Sequence, residues 1–334
     1  MAVYIIAEAG VNHNGDIEIA KKLIDMAKEC GADAVKFQTF KAEESTGQFA
    51  EKAEYQKRNT KTQDSQLDMI KKLELPFEAF KELSDYCKQK NIDFISTPDG
   101  VESLECLINL DVPLIKIGST EVTNLPFLER IAKTNKKLIL STGMSKLGEV
   151  EEAVDTILSI GNNQLQLMHC TTDYPTDYDE VNLKAMVTLR EAFKLEVGYS
   201  DHTLSCEAAI AATTLGAVCI EKHITLDKKM DGPDHAASME PDEFRQYCKS
   251  IRNTEKLLGD GRKRPTIKEK QIMGQVRRSI LASRDLREGT ILTSDCFVYK
   301  RPGTGIEPKM ASVLVGRKLK RDVAMDEIIH WEDV

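Results

Sequence analysis

The run LEVGYSDHTLSCEAAIAATTLGAVCIEKH (195–223) contains a short apolar strand, a helix-patterned stretch at 204–217 and a second apolar strand. Both strands end in polar residues. Toward the N-terminus the same unit recurs: VYIIAEAG (3–10), DAVKFQTF (33–40), IDFISTP (92–98), PLIKIGS (113–119), KLILSTG (137–143) and LQLMHCT (165–171) bring the strands to eight. Strands alternating with helical patterns predict a parallel sheet with helical crossovers. Eight repeats predict an α/β fold closed into a (β/α)8 TIM barrel, with the active site at the C-terminal strand ends. Those ends carry Glu8, Lys36, Gln38, Thr97, Lys116, Ser119, Ser141, His169, His202, Glu221 and His223. The set suits an anionic substrate and a metal.

Between the strands, Asp16 is placed to cap a helix whose apolar face holds Ile19, Leu23, Ile24 and Ala27, and Gly31 to stop it. Similar patterns cover 76–91, 101–110, 124–134, 147–160 and 240–260. The long insertion, 41–75, is polar and follows the second strand, a position at the active-site end from which it can fold over a substrate. The barrel is expected over 1–260. The basic stretch GRKRPTIKEKQ opens an expected linker, 261–277, and 278–334 reads as a small β-rich module that docking onto a neighbour would stabilise.

The chain has 334 residues, 41% hydrophobic and 30% charged, enough for a full core. A net charge of −8 with scattered lysines argues against nucleic acid as a partner. No apolar run approaches the roughly 20 residues of a membrane span, and MAVYIIAEAG lacks the basic start of a signal peptide. The eight cysteines lie singly, without a CxxC pair, as expected of buried thiols in a reducing cytoplasm.

His202, in GYSDHT, and His223, in IEKHIT, end adjacent strands, each near an acid, Asp201 or Glu221. They fit a divalent metal with positions left open to substrate, or equally a pair of structural histidines. Lys36 and Lys116, beside Ser/Thr/Gly turns, fit a phosphorylated ligand. A lysine paired with a buried acid, or one used as a Schiff base, remains open on the residues alone. NHNGD (12–16) and GPDH (232–235) are polar loops that meet across the barrel seam.

Taken together, IAEAGVNHNGD, VKFQTF, EYQKRNT, STP, KIGS, STGM, HCTTDYPT, GYSDHT, EKHITLDKKMDGPDHAAS and KRPGTGI resemble the sialic acid synthase family over the whole chain. That family condenses phosphoenolpyruvate with an N-acetylated mannose-type sugar. The resemblance implies that 278–334 is an antifreeze-like (SAF, β-clip) domain covering the partner's barrel in a domain-swapped homodimer. It implies that His202 and His223 hold a divalent ion, manganese in the family. Lys36, Thr97, Lys116, Ser119 and Ser141 would form the phosphoenolpyruvate pocket. Glu8, Gln38, Asn59, Tyr174 and Asp234 would contact the sugar, with Glu8 also near the reacting carbons and Arg301 reaching the N-acetyl group from the partner. Glu8, Lys36, Lys116 and His223 are the expected catalytic residues.

Two departures stand out. STPDG replaces the more usual STPF, and Thr172 stands where neuraminate synthases place Asn, which bears on the choice of sugar. HCTTDYP, EVNLKAM and FKLEVGYSDHT are most similar to the branch making N,N'-diacetyllegionaminate from 2,4-diacetamido-2,4,6-trideoxymannose. The alternatives are N-acetylneuraminate synthesis from N-acetylmannosamine and, in other classes, a Schiff-base aldolase or a non-catalytic sugar-binding protein.

Overall fold

Strands β1 (Tyr4–Gly10), β2 (Ala34–Thr39), β3 (Asp93–Pro98), β4 (Leu114–Ile117), β5 (Lys137–Ser141), β6 (Leu165–His169), β7 (Val197–Asp201) and β8 (Cys219–His223) pair in chain order. All are parallel, and β1 closes on β8. The computed structural model describes residues 2–53, 56–57, 60 and 64–334. The chain forms two compact units, Met1–Gly259 and Asp260–Val334.

Period-two alternation sorts each barrel strand into two faces. Outward residues such as Ile5, Val35, Ile115, Leu138 and Val197 pack with the helices in the main core. Inward, Ile6, Ala34, Ile95, Leu114, Ile139, Met168 and Cys219 form an apolar floor. Two residues further along, on the same inward face, stand Glu8, Lys36, Thr97, Lys116, Ser141, Cys170 and Glu221. The barrel interior therefore changes from dry and apolar to charged within one layer.

Asp16 caps the first helix, Ile17–Cys30, accepting from the N–H groups of Glu18 and Ile19, and Gly31 ends it in the left-handed region. A helix at Lys184–Phe193, which the sequence pattern did not reveal, follows β6. The 41–75 insertion contains short helices at Ala42–Ser45 and Gln66–Lys71. Its Glu44 carboxylate accepts from Val101 N and Glu102 N at 2.6 and 3.1 Å, capping the helix Val101–Asn109. Gly100 makes room for this. Its φ is +141°, and a Cβ there would lie 2.3 Å from the Glu44 carboxyl carbon.

In the second unit, β9 (Ser279–Ala282) and β10 (Phe297–Lys300) pair antiparallel over a core that includes Ile280, Leu292, Phe297 and Ile329. The expected linker is not extended chain. Ile267–Val276 is helical, opened by a capping box between Thr266 and Glu269. The TIKE signal for it lies in plain view, but the basic, Pro-containing surroundings obscure it. No described helix is long and apolar enough to cross a membrane.

Candidate active site

Strand register brings the charged layer together. Glu8 pairs in register with Lys36 on one side and His223 on the other, and Gln38 pairs with Thr97. Lys36 Nζ lies 2.8 Å from Glu8 Oε1 and 3.7 Å from Glu221 Oε2, while Lys116 Nζ lies 3.6 Å from the same Glu221 oxygen. Lys116 also donates to Ser141 Oγ at 2.6 Å, Lys36 to Thr97 Oγ1 at 3.3 Å, and Gln38 Nε2 to Glu8 Oε1 at 3.3 Å. All four ionic side chains are at least 95% buried.

The electrostatics follow from that burial. Burial opposes ionisation of Glu221, but Lys116, Lys36, His223 and the Ser200 hydroxyl outweigh it and hold the carboxylate ionised. Glu8 goes the other way, pushed up by burial more than Lys36 can pull it down. Burial also works against the Lys36 ammonium, yet Glu221 and Glu8 keep it above the usual lysine range. One firmly ionised carboxylate beneath two lysines leaves the pocket ready for an anion.

His202 and His223 sit beside this layer, ring centroids 5.6 Å apart, with the Tyr174 ring 4.2 Å from His202 and edge-on to His223 at 5.4 Å. His202 Nδ1 lies 2.6 Å from the Thr171 carbonyl, to which it donates, leaving Nε2 as a lone pair. The Ser200 hydroxyl is 3.2 Å from that Nε2 and 2.9 Å from Glu221 Oε1, and its single proton serves one of them at a time. Burial pushes His202 down to about 4 and His223 well below the usual range, so both rings are neutral near pH 7. Among the described residues, His223 Nδ1 and Glu8 Oε2 are buried without a hydrogen bond. Two neutral imidazoles beside an unsatisfied carboxylate oxygen fit a divalent cation. The described residues contain no cluster of three or more His, Cys, Asp and Glu side chains arranged to hold a metal.

The remaining expected residues divide by place. Ser119 and Thr172 line the same pocket, of about 220 Å³, as the charged layer and the two histidines. Ser119 Oγ accepts from Gly143 N at 2.9 Å and lies 3.2 Å from the Cys170 thiol. Thr172 crosses so close to Gly143 that a Cβ there would be 2.3 Å from its hydroxyl. Asp234 stands outside the pocket lining but within reach of the Glu8 charge, and burial followed by Glu8 raises its carboxyl to about 7. The loops at the seam do meet, as His235 Nε2 lies 3.2 Å from Asn14 Oδ1 and Asn14 Nδ2 donates to the neighbouring Asp231 carbonyl. Arg301 is exposed in the second unit, and Asn59 lies outside the described residues.

Two expectations need correction. His169 faces outward, its Nε2 2.8 Å from the Val181 carbonyl. Asp201 is no partner for His202, because alternation turns it to the outer face, where Tyr247 and Thr203 bond it. Sequence reasoning also passed over Ser200, Asp99 and Cys170, which line the pocket. Counting by twos from His202, Thr97 and Met168 finds all three.

The sequence matches the NeuB family over residues 23–263 and the SAF domain over 277–334. The N,N'-diacetyllegionaminic acid synthase of Campylobacter jejuni is 49% identical over 328 residues, 98% of each chain. That of Legionella pneumophila is 46% identical over 338 residues, covering 100% of this chain and 95% of its own. The crystal structure of the N-acetylneuraminic acid (sialic acid) synthetase of Leptospira borgpetersenii serovar Hardjo-bovis, in complex with citrate, gives a TM-score of 0.73 at 33% identity, covering 81% of this chain and 90% of that one. Fold, site and relatives together define an enzyme of the sugar-acid synthase class. The chain belongs to the NeuB family.

Proposed function

We propose that the protein condenses phosphoenolpyruvate with 2,4-diacetamido-2,4,6-trideoxymannose, giving N,N'-diacetyllegionaminate and phosphate. The observation that carries the reading is the meeting of Lys36 and Lys116 on Glu221, next to two neutral histidines. The legionaminate branch is supported by full-length identities of 49% and 46%, against 33% to the neuraminic acid synthetase.

Lys36 and Lys116 bind the phosphate of phosphoenolpyruvate, with Thr97, Ser119 and Ser141 supplying hydroxyls around it. The phosphoenolpyruvate double bond opens as carbon 3 bonds to the aldehyde carbon of the open-chain sugar. Water adds at carbon 2, and the resulting tetrahedral carbon expels phosphate by C–O cleavage. Of the two protons of the attacking water, one ends on the aldehyde oxygen, now a hydroxyl, and the other on the departing phosphate. The two ammonium groups are in place before charge develops on the departing phosphate, which is electrostatic preorganisation. Glu8, with a free buried oxygen and a raised pKa, orients the water and takes its proton. Gln38 holds Glu8 from the side, and Tyr174, Thr172 and Asp234 face the sugar. His202 and His223 would hold a divalent ion, manganese by family likeness, which supplies Lewis-acid polarisation of the sugar carbonyl. Arg301 would contact the N-acetyl group from the partner subunit of a homodimer.

A Schiff-base route finds no support. Lys36 is kept protonated by two carboxyls, and the buried lysine whose pKa is lowered, Lys222, bonds away from the pocket to the Thr203 carbonyl. The test is kcat/KM for the diacetamido sugar and for N-acetylmannosamine at saturating phosphoenolpyruvate, scored by phosphate release and product mass. A site that bonds the 4-acetamido group should disfavour N-acetylmannosamine by about a hundredfold or more. Equal or better turnover of N-acetylmannosamine assigns the neuraminate reaction instead. Phosphate release with neither sugar rejects both.

A further inference from the structure

The last residues of β7 and the last of β8 form a short ladder across the strand pair. Ser200 pairs in register with Glu221, and Asp201 with Lys222. Alternation sends the first pair inward, to the charged layer, and the second outward. One residue further along both strands, His202 and His223 turn inward again. The outward pair is therefore covalently next to both histidines, on the opposite face of the barrel wall.

That outward pair is unusually tied down. Asp201 is completely buried and Lys222 is 1% exposed. Lys222 Nζ lies 3.7 Å from Asp201 Oδ1 and donates to the Thr203 carbonyl, so it clasps both chain neighbours of His202. Asp201 Oδ1 accepts from Thr203 N at 2.9 Å and Thr203 Oγ1 at 2.8 Å, and Oδ2 accepts from Tyr247 OH at 2.9 Å. The ammonium also sits 5.8 Å from the centre of the Tyr247 ring. Every strong polar group in the cluster has a partner, which is the condition under which a buried ionic network specifies geometry rather than merely costing desolvation. No step of the proposed reaction uses these residues.

We infer that Asp201 and Lys222, locked by Thr203 and Tyr247, are positioning residues that fix the separation and orientation of His202 and His223 and so set the affinity of the site for a divalent cation. The inference rests on the metal reading given above. The physical reason is leverage. A parallel strand pair has no turn to hold its ends in register, and β7 has already ended at His202. A cross-strand bond from the side chain of one histidine's neighbour to the backbone beyond the other histidine replaces the missing ladder.

The test is Mn2+ binding to metal-stripped full-length protein, followed by the loss of the free Mn2+ electron paramagnetic resonance signal, with phosphoenolpyruvate binding measured separately by calorimetry. Lys222→Met keeps the length and removes the charge. It should weaken Mn2+ by about tenfold or more, the usual cost of disturbing groups that orient metal ligands, and leave phosphoenolpyruvate affinity within about twofold. Tyr247→Phe, which keeps the packing and removes one bond to Asp201, should show the same split at smaller size and covers the case in which Lys222→Met does not fold. If the folded variants bind Mn2+ as the unaltered chain does, the positioning role is wrong. Equal weakening of Mn2+ and phosphoenolpyruvate would show general loosening and also overturn it. An unaltered chain that takes up no Mn2+ rejects the metal reading itself.

Discussion

Glu8 Oε1 and Lys36 Nζ stand 2.8 Å apart on neighbouring strands, both side chains almost wholly buried, yet Glu8 Oε2 has no hydrogen bond. A buried carboxyl satisfied on one oxygen and open on the other is expensive to keep unless something binds there. Glu8→Gln retains an oxygen for Lys36 but cannot exchange a proton. It should lower kcat by about 10²–10⁴ while changing the KM for phosphoenolpyruvate little, as steady-state phosphate release will show.

Asp99, just past β3, is raised to about 7 from an ordinary 3.8, first by burial and then by Glu121. The folded state therefore holds a proton that the unfolded chain releases between those values. The resulting penalty is absent below about pH 4, grows as pH rises and is complete above about 7. Asp99→Asn lacks it. The melting temperature of the variant relative to the unaltered protein should climb from pH 4 to 7 and then level off.

Chelation should abolish turnover, and Mn2+ should restore it in the unaltered enzyme but not in His223→Ala. Circular dichroism should show the variant folded, since His223 Nδ1 makes no hydrogen bond to lose. Full activity in chelator-treated enzyme would rule the ion out.

Gly100→Ala sets a Cβ into the Glu44 carboxyl and demands a backbone angle that side chains rarely adopt. A loss of about 1–3 kcal/mol is expected from the strain. Glu44→Ala alone should cost about 1 kcal/mol as a lost helix cap. The double variant should be less destabilised than the sum, because removing Glu44 relieves the clash, and urea titration of all three checks this.

Arg301→Ala should raise the KM for the sugar far more than that for phosphoenolpyruvate, and mixing Arg301→Ala with His223→Ala subunits should recover part of the activity if Arg301 serves the partner's site. No recovery in verified mixed dimers places the arginine's role within its own chain.

The barrel and its charged rim were legible because both depend on simple periods. Eight apolar strands announce closure, and counting by twos from Glu8, Lys36 or Glu221 puts the polar residues on one face. The same count exposes the misreading of Asp201: adjacency to His202 in sequence places it on the wrong side of the wall. What could not be read was register. That Lys36 and Lys116 share Glu221, or that Thr171 rather than an acid orients His202, depends on how strands and loops align in space. The helix at 267–276 was hidden for a different reason, since almost all of its residues are exposed and it has no apolar stripe to give it away.

Glu8, Lys36, Lys116 and Glu221 belong to barrel strands, whereas Thr172, Tyr174 and Asp234 belong to the connections above them. If the proposed reaction holds, most groups that would bind the phosphorylated partner are built into the frame and most that would meet the sugar into pieces that can be exchanged without disturbing it, with Gln38 on β2 and Ser119 in a connection as the two that cross the division. Such a division lets a lineage change what it makes while keeping how it makes it. Grafting 170–176 and 232–235 from a relative with another sugar preference is accordingly the shortest route to a new product from this scaffold.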